Sequence, residues 1–268
     1  MEHFHLDEFA RLNSPIHRFD PRAKILSCLV LLFIVANLAR PVTLGVAIAV
    51  ILLLLKLARI PVGLIARRLA WVLPFTGGLI LVLPFTRTGT AVLTVPLPMV
   101  SLTATADGLS AAVTMALRIV GALLVVTLVM TTTRFNDFLR ALSDLKVPRV
   151  FVQLLSFTTR YMFVLWDELR RMNRARQSRA FPNRGFASRR HTRMTLGHSI
   201  GLLFIRSYER GERVYLAMLS RSYGGEIRTC GHFRLFGRDV AGALGIVALG
   251  IMLFILDKGG WTWLISWK

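Results

Sequence analysis

Two short triplets, Ser178-Arg179-Ala180 and Ser220-Arg221-Ser222, carry the side chains best suited to chemistry in this 268-residue chain. Each sets an arginine between small residues at the end of an Arg-rich run. An aromatic and a helix breaker follow, Phe181-Pro182 after the first and Tyr223-Gly224-Gly225 after the second. A guanidinium is a planar fork of donors that grips a carboxylate bidentately, so the chemistry on offer is recognition rather than bond making. Arginines near helix C-termini also complement the helix dipole. Their repetition at two helix ends points instead to docking of another protein.

Other candidate groups are weaker. No Gly-rich phosphate loop of the Walker type is present, so ATP hydrolysis is expected in a partner and the chain is not expected to be an enzyme. His3 and His5 with Glu2, Asp7 and Glu8 are transition-metal ligand types, but nothing rigid fixes them, and a solvated segment is the simpler reading. His191, His198 and His232 have no ligand partner at helical spacing. Neither a metal site nor a cofactor is expected. Arg118 lies inside an apolar block, where a charge defaults to a functional role. Its place two to three turns in lets it snorkel or pair with another helix, which favours a structural role. Asp167 and Glu168, beside Arg170 and Arg171, read as solvated ion pairs.

The elements that hold these residues are apolar. Hydrophobic residues make up 54% of the chain, in uninterrupted blocks, which predicts an integral membrane protein. The blocks are Ile25–Ala39, Val42–Leu55, Leu69–Phe85, Leu109–Met130 and Val240–Leu256. The first two are shorter than the ~20 residues a span needs, so Lys24, Arg40 and Lys56 are expected to snorkel or the bilayer to thin. A basic loop is expected over Leu57–Arg68. Pro74 and Gly77-Gly78 should bend the third block, and alternation over Ala91–Val95 and Met99–Thr103 predicts an extended excursion. Cys28 and Cys230 do not predict a disulfide. The N-terminal segment lacks the apolar region of a cleaved signal peptide.

Charge orients the blocks. Net charge is +20, which in a soluble protein would suggest nucleic acid. Here the charge lies between the blocks, so no nucleic-acid partner is expected. Lys and Arg number four through Lys24, one at Arg40, four over Lys56–Arg68, one at Arg87, 21 over residues 134–238 and two in the tail. Rich and poor segments alternate under five spans with the N-terminus inside. Reading Val147–Trp166 as a further span would bury Arg160 at roughly 2.5–3.5 kcal/mol; an interfacial or cytoplasmic helix fits better. The predicted fold is an all-α membrane protein: residues 1–133 with four spans, 134–238 as cytoplasmic coupling helices, and 239–268 with the last span and tail. Helices are expected over Arg134–Leu145, Val150–Ala180 and Gly197–Ser222, with Glu209 and Arg213 paired on the last.

At these residues the chain resembles the transmembrane coupling component of energy-coupling factor importers, in particular the cobalt-type CbiQ family. The likeness runs through Asp20-Pro21-Arg22-Ala23-Lys24, Asp107-Gly108-Leu109 leading to Arg118, Ala141-Leu142, Leu145, Val147-Pro148, Arg160-Tyr161 and Glu168. The family's two Ala-Arg-Gly-like motifs match Ser178-Arg179-Ala180 and Ser220-Arg221-Ser222. Both depart from it, with Ser first and Ala or Ser third. Arg176, in Ala175-Arg176-Gln177, partly fits the first motif. The resemblance implies a scaffold in the bacterial cytoplasmic membrane that joins two ATP-binding cassette ATPase subunits to a substrate-binding membrane subunit. A small accessory membrane subunit belongs to the same picture. The cargo implied is a transition-metal ion, cobalt first and nickel second, selected by the substrate-binding subunit. The alternative is a self-sufficient secondary transporter or channel, which predicts paired repeats and ionisable residues at mid-membrane; the sequence offers no repeat and only Arg118.

Overall fold

The structure is a computed structural model that describes Ser14, Ile16 and residues 19–86, 91–96, 101–179, 190–225 and 237–260. Ala180, the N-terminal histidines, His232 and Cys230 lie outside these residues. The chain is nearly all helical and forms two compact units, residues 1–141 with 233–268, and residues 142–232.

The first unit is built from apolar helices. Asp20 caps α1 (Pro21–Asn37), its carboxylate accepting the Arg22 N–H at 2.9 Å, with Pro21 opening the first turn. A tight turn leads to α2 (Pro41–Leu57), again opened by a proline. α3 (Val62–Thr86) contains Pro74 and Pro84 and bends by 54° between Val72 and Thr76. Pro74 lacks the N–H needed to continue the ladder, and the Thr76 hydroxyl donates to the Val72 carbonyl across the break. Strands β1 (Ala91–Pro96) and β2 (Ser101–Thr105) form an antiparallel hairpin in the expected extended excursion, so the fold is not purely helical. α4 (Ala106–Thr132) follows, capped by Thr105, and then the short α5 (Phe135–Asp144). α8 (Gly237–Ile255) returns to this unit and ends in a π-helical turn over Leu256–Gly260.

α4 packs against α1, α2 and α3, and α8 packs against α1. Their shared core includes Val35, Leu38, Leu44, Ile51, Leu124 and Leu128. Close approach needs small residues at two of these contacts. A Cβ on Gly108 would lie 2.8 Å from the backbone of Pro84, and one on Gly121 would lie 2.8 Å from a Val35 methyl. α4 and Gly237–Gly259 are long and apolar enough to cross a membrane, and bent α3 makes a third if it is one span. α1 and α2, at 17 residues each, reach about 25 Å, short of a ~30 Å hydrocarbon core.

Two further expectations change in this unit. Val62–Arg68 is helix rather than loop, because Pro61 stands just before the helix, where it starts a helix instead of breaking one. Lys24 does not snorkel. It is 5% exposed, and its ammonium donates to the Thr132 carbonyl at 3.0 Å. A short helix that buries its cation inside the bundle must feed it an internal acceptor, and the unsatisfied carbonyls at the end of α4 supply one.

The second unit holds α6 (Arg149–Ser178) and α7 (Arg190–Leu219). α7 begins earlier than expected, so His198 lies inside it and His191 on its first turn. No described residue of α6 is fully buried. Val150, Phe151, Leu154, Leu155, Met162 and Trp166 lie at helical spacing and remain exposed.

Candidate docking site

The two arginine tips are built alike from the helix end outward. At the close of α6 the Ser178 hydroxyl donates to the Ala175 carbonyl at 3.0 Å, and at the close of α7 the Ser220 hydroxyl donates to the Ala217 carbonyl at 3.0 Å. Each serine therefore satisfies one carbonyl that a helix end leaves without a partner. Each also draws its hydroxyl back along its own helix. The next residue is the arginine, whose N–H donates three residues back, Arg179 to Arg176 at 3.2 Å and Arg221 to Met218 at 3.0 Å. Both arginines are exposed, and neither guanidinium bonds to another described residue.

α7 then ends in a Schellman turn. The Ser222 N–H donates to Leu219 and the Tyr223 N–H to Met218, with Ser222 at φ 59°. A residue without Cβ would adopt that left-handed position at no steric cost. The same turn ends α2 at Arg59 (φ 57°) and α5 at Lys146 (φ 65°).

Arg176 is placed differently from Arg179. It is half-buried, and its guanidinium donates to the Asn173 side chain at 2.8 Å, turned back along its own helix.

α6 and α7 run antiparallel. Near the start of α6, Gln153 meets the residues just after α7: the Tyr223 hydroxyl donates to its side-chain oxygen at 3.1 Å, and its amide nitrogen donates to the Gly225 carbonyl at 3.2 Å. Farther along, Glu168 pairs with Arg206. Glu168 is thus bound across the helix pair rather than to Arg170 or Arg171; Arg170 instead lies over the Trp166 ring at 5.4 Å. Glu209 and Arg213 do pair, at 3.8 Å. Outside the apolar spans, Glu212 raises the Tyr208 phenol above its ordinary pKa, chiefly by accepting its hydrogen bond. The antiparallel course sets the two tips at opposite ends of the pair. Arg179 lies about 40 Å along α6 from Gln153, to which the Arg221 end is tied.

Arg118 belongs to the first unit. Its Nε donates to the Leu38 carbonyl at 2.8 Å, the C-cap of α1. Together with Lys24 on the Thr132 carbonyl, α1 and α4 each cap the other's C-terminus with a cation, which also shows them to be antiparallel. Asp257 completes this turn. Its carboxylate accepts the N–H groups of Ala39 (2.8 Å) and Arg40 (3.0 Å) and the Thr43 hydroxyl (2.6 Å). By sequence Asp257 belongs to the tail after the last apolar block; an acidic residue straight after an apolar run is the signal for its role. Among the described residues no three His, Cys, Asp or Glu gather as a metal site.

The family model described as cobalt transport protein, CbiQ, matches residues 12–230. The chain belongs to the CbiQ family. The CbiQ match takes in both arginine tips and stops short of α8. Among curated relatives, a protein of Acidaminococcus fermentans named energy-coupling factor transporter transmembrane protein EcfT is 31% identical over 92% of this chain and 94% of its own length. A Staphylococcus aureus protein of the same name is 25% identical over 95% of this chain and 97% of its own. An uncharacterized protein of Methanocaldococcus jannaschii is 28% identical over 96% of this chain and 88% of its own. With this CbiQ membership and its apolar helices, the chain is a membrane-embedded protein.

Proposed function

We propose that this CbiQ-family chain is the transmembrane coupling subunit of an ATP-driven energy-coupling factor importer for a transition-metal ion, cobalt first and nickel second. One observation carries the reading: two alike, exposed arginine tips at opposite ends of an antiparallel helix pair. Two separated sockets suit two ATPase subunits, one guanidinium to each, and a rigid helix pair between them passes on their relative motion. The absence of a phosphate loop from the sequence agrees with ATP hydrolysis in those partners. The relatives' names support a membrane component of such a transporter, and the family description supports cobalt. The exposed apolar residues of α6 suit a membrane-embedded substrate-binding subunit or lipid.

Five spans with the N-terminus and residues 134–238 in the cytoplasm remain the proposed topology. Helix direction supports it. Lys24 bonds to the end of α4 and is acted on by Asp239 at the start of α8, so the chain leaves the first unit and returns to it at one end. That end carries the basic segments.

The test is cobalt uptake by the reconstituted complex. Arg179→Ala or Arg221→Ala alone should cut ATP-driven uptake, and the double change should nearly abolish it with insertion intact. Full uptake by the double variant would end the proposal.

A further inference from the structure

We infer that Gln153 is a positioning residue for the second arginine tip, so that α6 carries one tip on its C-terminus and holds the other beside its N-terminus. The inference rests on the coupling function proposed above. Ser222, directly after Arg221, turns left-handed, and Gly225 follows at φ 88°, so the chain turns sharply off α7 within four residues. Such a turn has few contacts of its own: Gly224 has open space around it. Among the described residues, what ties it to α6 is one side-chain amide. Gln153 accepts from the Tyr223 hydroxyl and donates to the Gly225 carbonyl, using both ends of its amide on two residues of the turn. Gln153 lies on the second turn of a 30-residue helix, so its position is set by α6.

The chemistry is specific. Glutamine offers an acceptor and a donor on one planar group. Glutamate would keep the acceptor for Tyr223 and lose the donor for Gly225; leucine would lose both. Each bond is modest because water competes for it. Acting together on a turn of three residues, they decide whether the Arg221 stem follows α6 or swings freely. Force delivered to one tip then reaches the other through α6 itself, and the two sockets are coupled by a single element. The clamp also accounts for an aromatic with a hydroxyl after the second triplet, where the first triplet is followed by phenylalanine.

The experiment uses the full chain in its complex with the ATPase and membrane subunits, with the two natural cysteines replaced by serine and a spin label on Gly224→Cys. A parallel label on Ala175→Cys reports the first tip. Gln153→Leu and Tyr223→Phe should each loosen the label at 224 and leave that at 175 unchanged. Radiolabelled cobalt uptake should fall about threefold while the ATPase subunits still co-purify. The double variant should lose no more than Gln153→Leu alone, because that change already removes the bond that Tyr223→Phe deletes. Gln153→Glu should give an intermediate result. Unchanged mobility at 224 overturns the clamp, and raised mobility with full uptake overturns its role in coupling. Failure of the coupling function itself reads out separately, as full uptake by the Arg179→Ala/Arg221→Ala chain with the mobility pattern intact.

Discussion

Ser222 shows how a small residue can matter through backbone alone. Its φ of 59° costs an L-residue roughly 1–2 kcal/mol relative to glycine's freedom. Glycine there should therefore tighten the cap, slowing amide exchange at Tyr223 by roughly five- to thirtyfold, whereas Ser222→Val should speed it by tenfold or more, as β-branching opposes the left-handed region. Hydrogen exchange read at that amide checks both directions; faster exchange in the glycine variant would contradict the cap. Arg118 makes the opposite case, a charge whose value lies in one bond. Arg118→Leu leaves the Leu38 carbonyl unsatisfied in apolar surroundings and should cost about 1–2 kcal/mol of stability in detergent. Arg118→Lys should recover part of that loss. The type and spacing of both residues are legible in the sequence, but the partner of Arg118 is not, because Leu38 is 80 positions away.

At the scale of elements, helix contacts in the first unit depend on where a Cβ can fit. Gly108 faces the backbone of Pro84, which cannot move aside, so Gly108→Ala should destabilise the α3–α4 contact by about 1–3 kcal/mol. Gly250 faces the mobile end of the Ile34 side chain, and Gly250→Ala should cost far less despite a similar 2.8 Å approach. Gly45 faces open space, and its alanine variant should gain slightly from helix propensity. Thermal unfolding of the three variants in one detergent orders them; equal losses would show that the helices do not pack as described. Apolar runs told where helices lie, but prolines misled at one boundary. Pro61 by residue type suggests a loop, and the structure shows it preceding a helix start, a distinction that depends on which side of the ring the helix continues.

For the molecule as a whole, the direction of each helix is the quantity that topology needs. Parallel α1 and α8, both ending at the Asp257 turn, and an antiparallel α4 agree with spans in alternating direction. Cysteine labelling should therefore reach Gly224→Cys from the cytoplasm and Gly259→Cys from outside; the reverse pattern would overturn the five-span topology. Composition and charge order in the sequence determined a helical membrane protein with a basic segment between its apolar blocks, because transfer energies and the positive-inside bias act residue by residue. Spacing alone also brought out the two arginine triplets. Only the tertiary structure decided that the two helices run antiparallel, that Gln153 ties one tip to the other helix, and that Lys24, Arg118 and Asp257 are spent on helix ends. Each of those depends on a bond between residues some 70 or more positions apart, and no local propensity encodes which distant carbonyl or amide a side chain will meet.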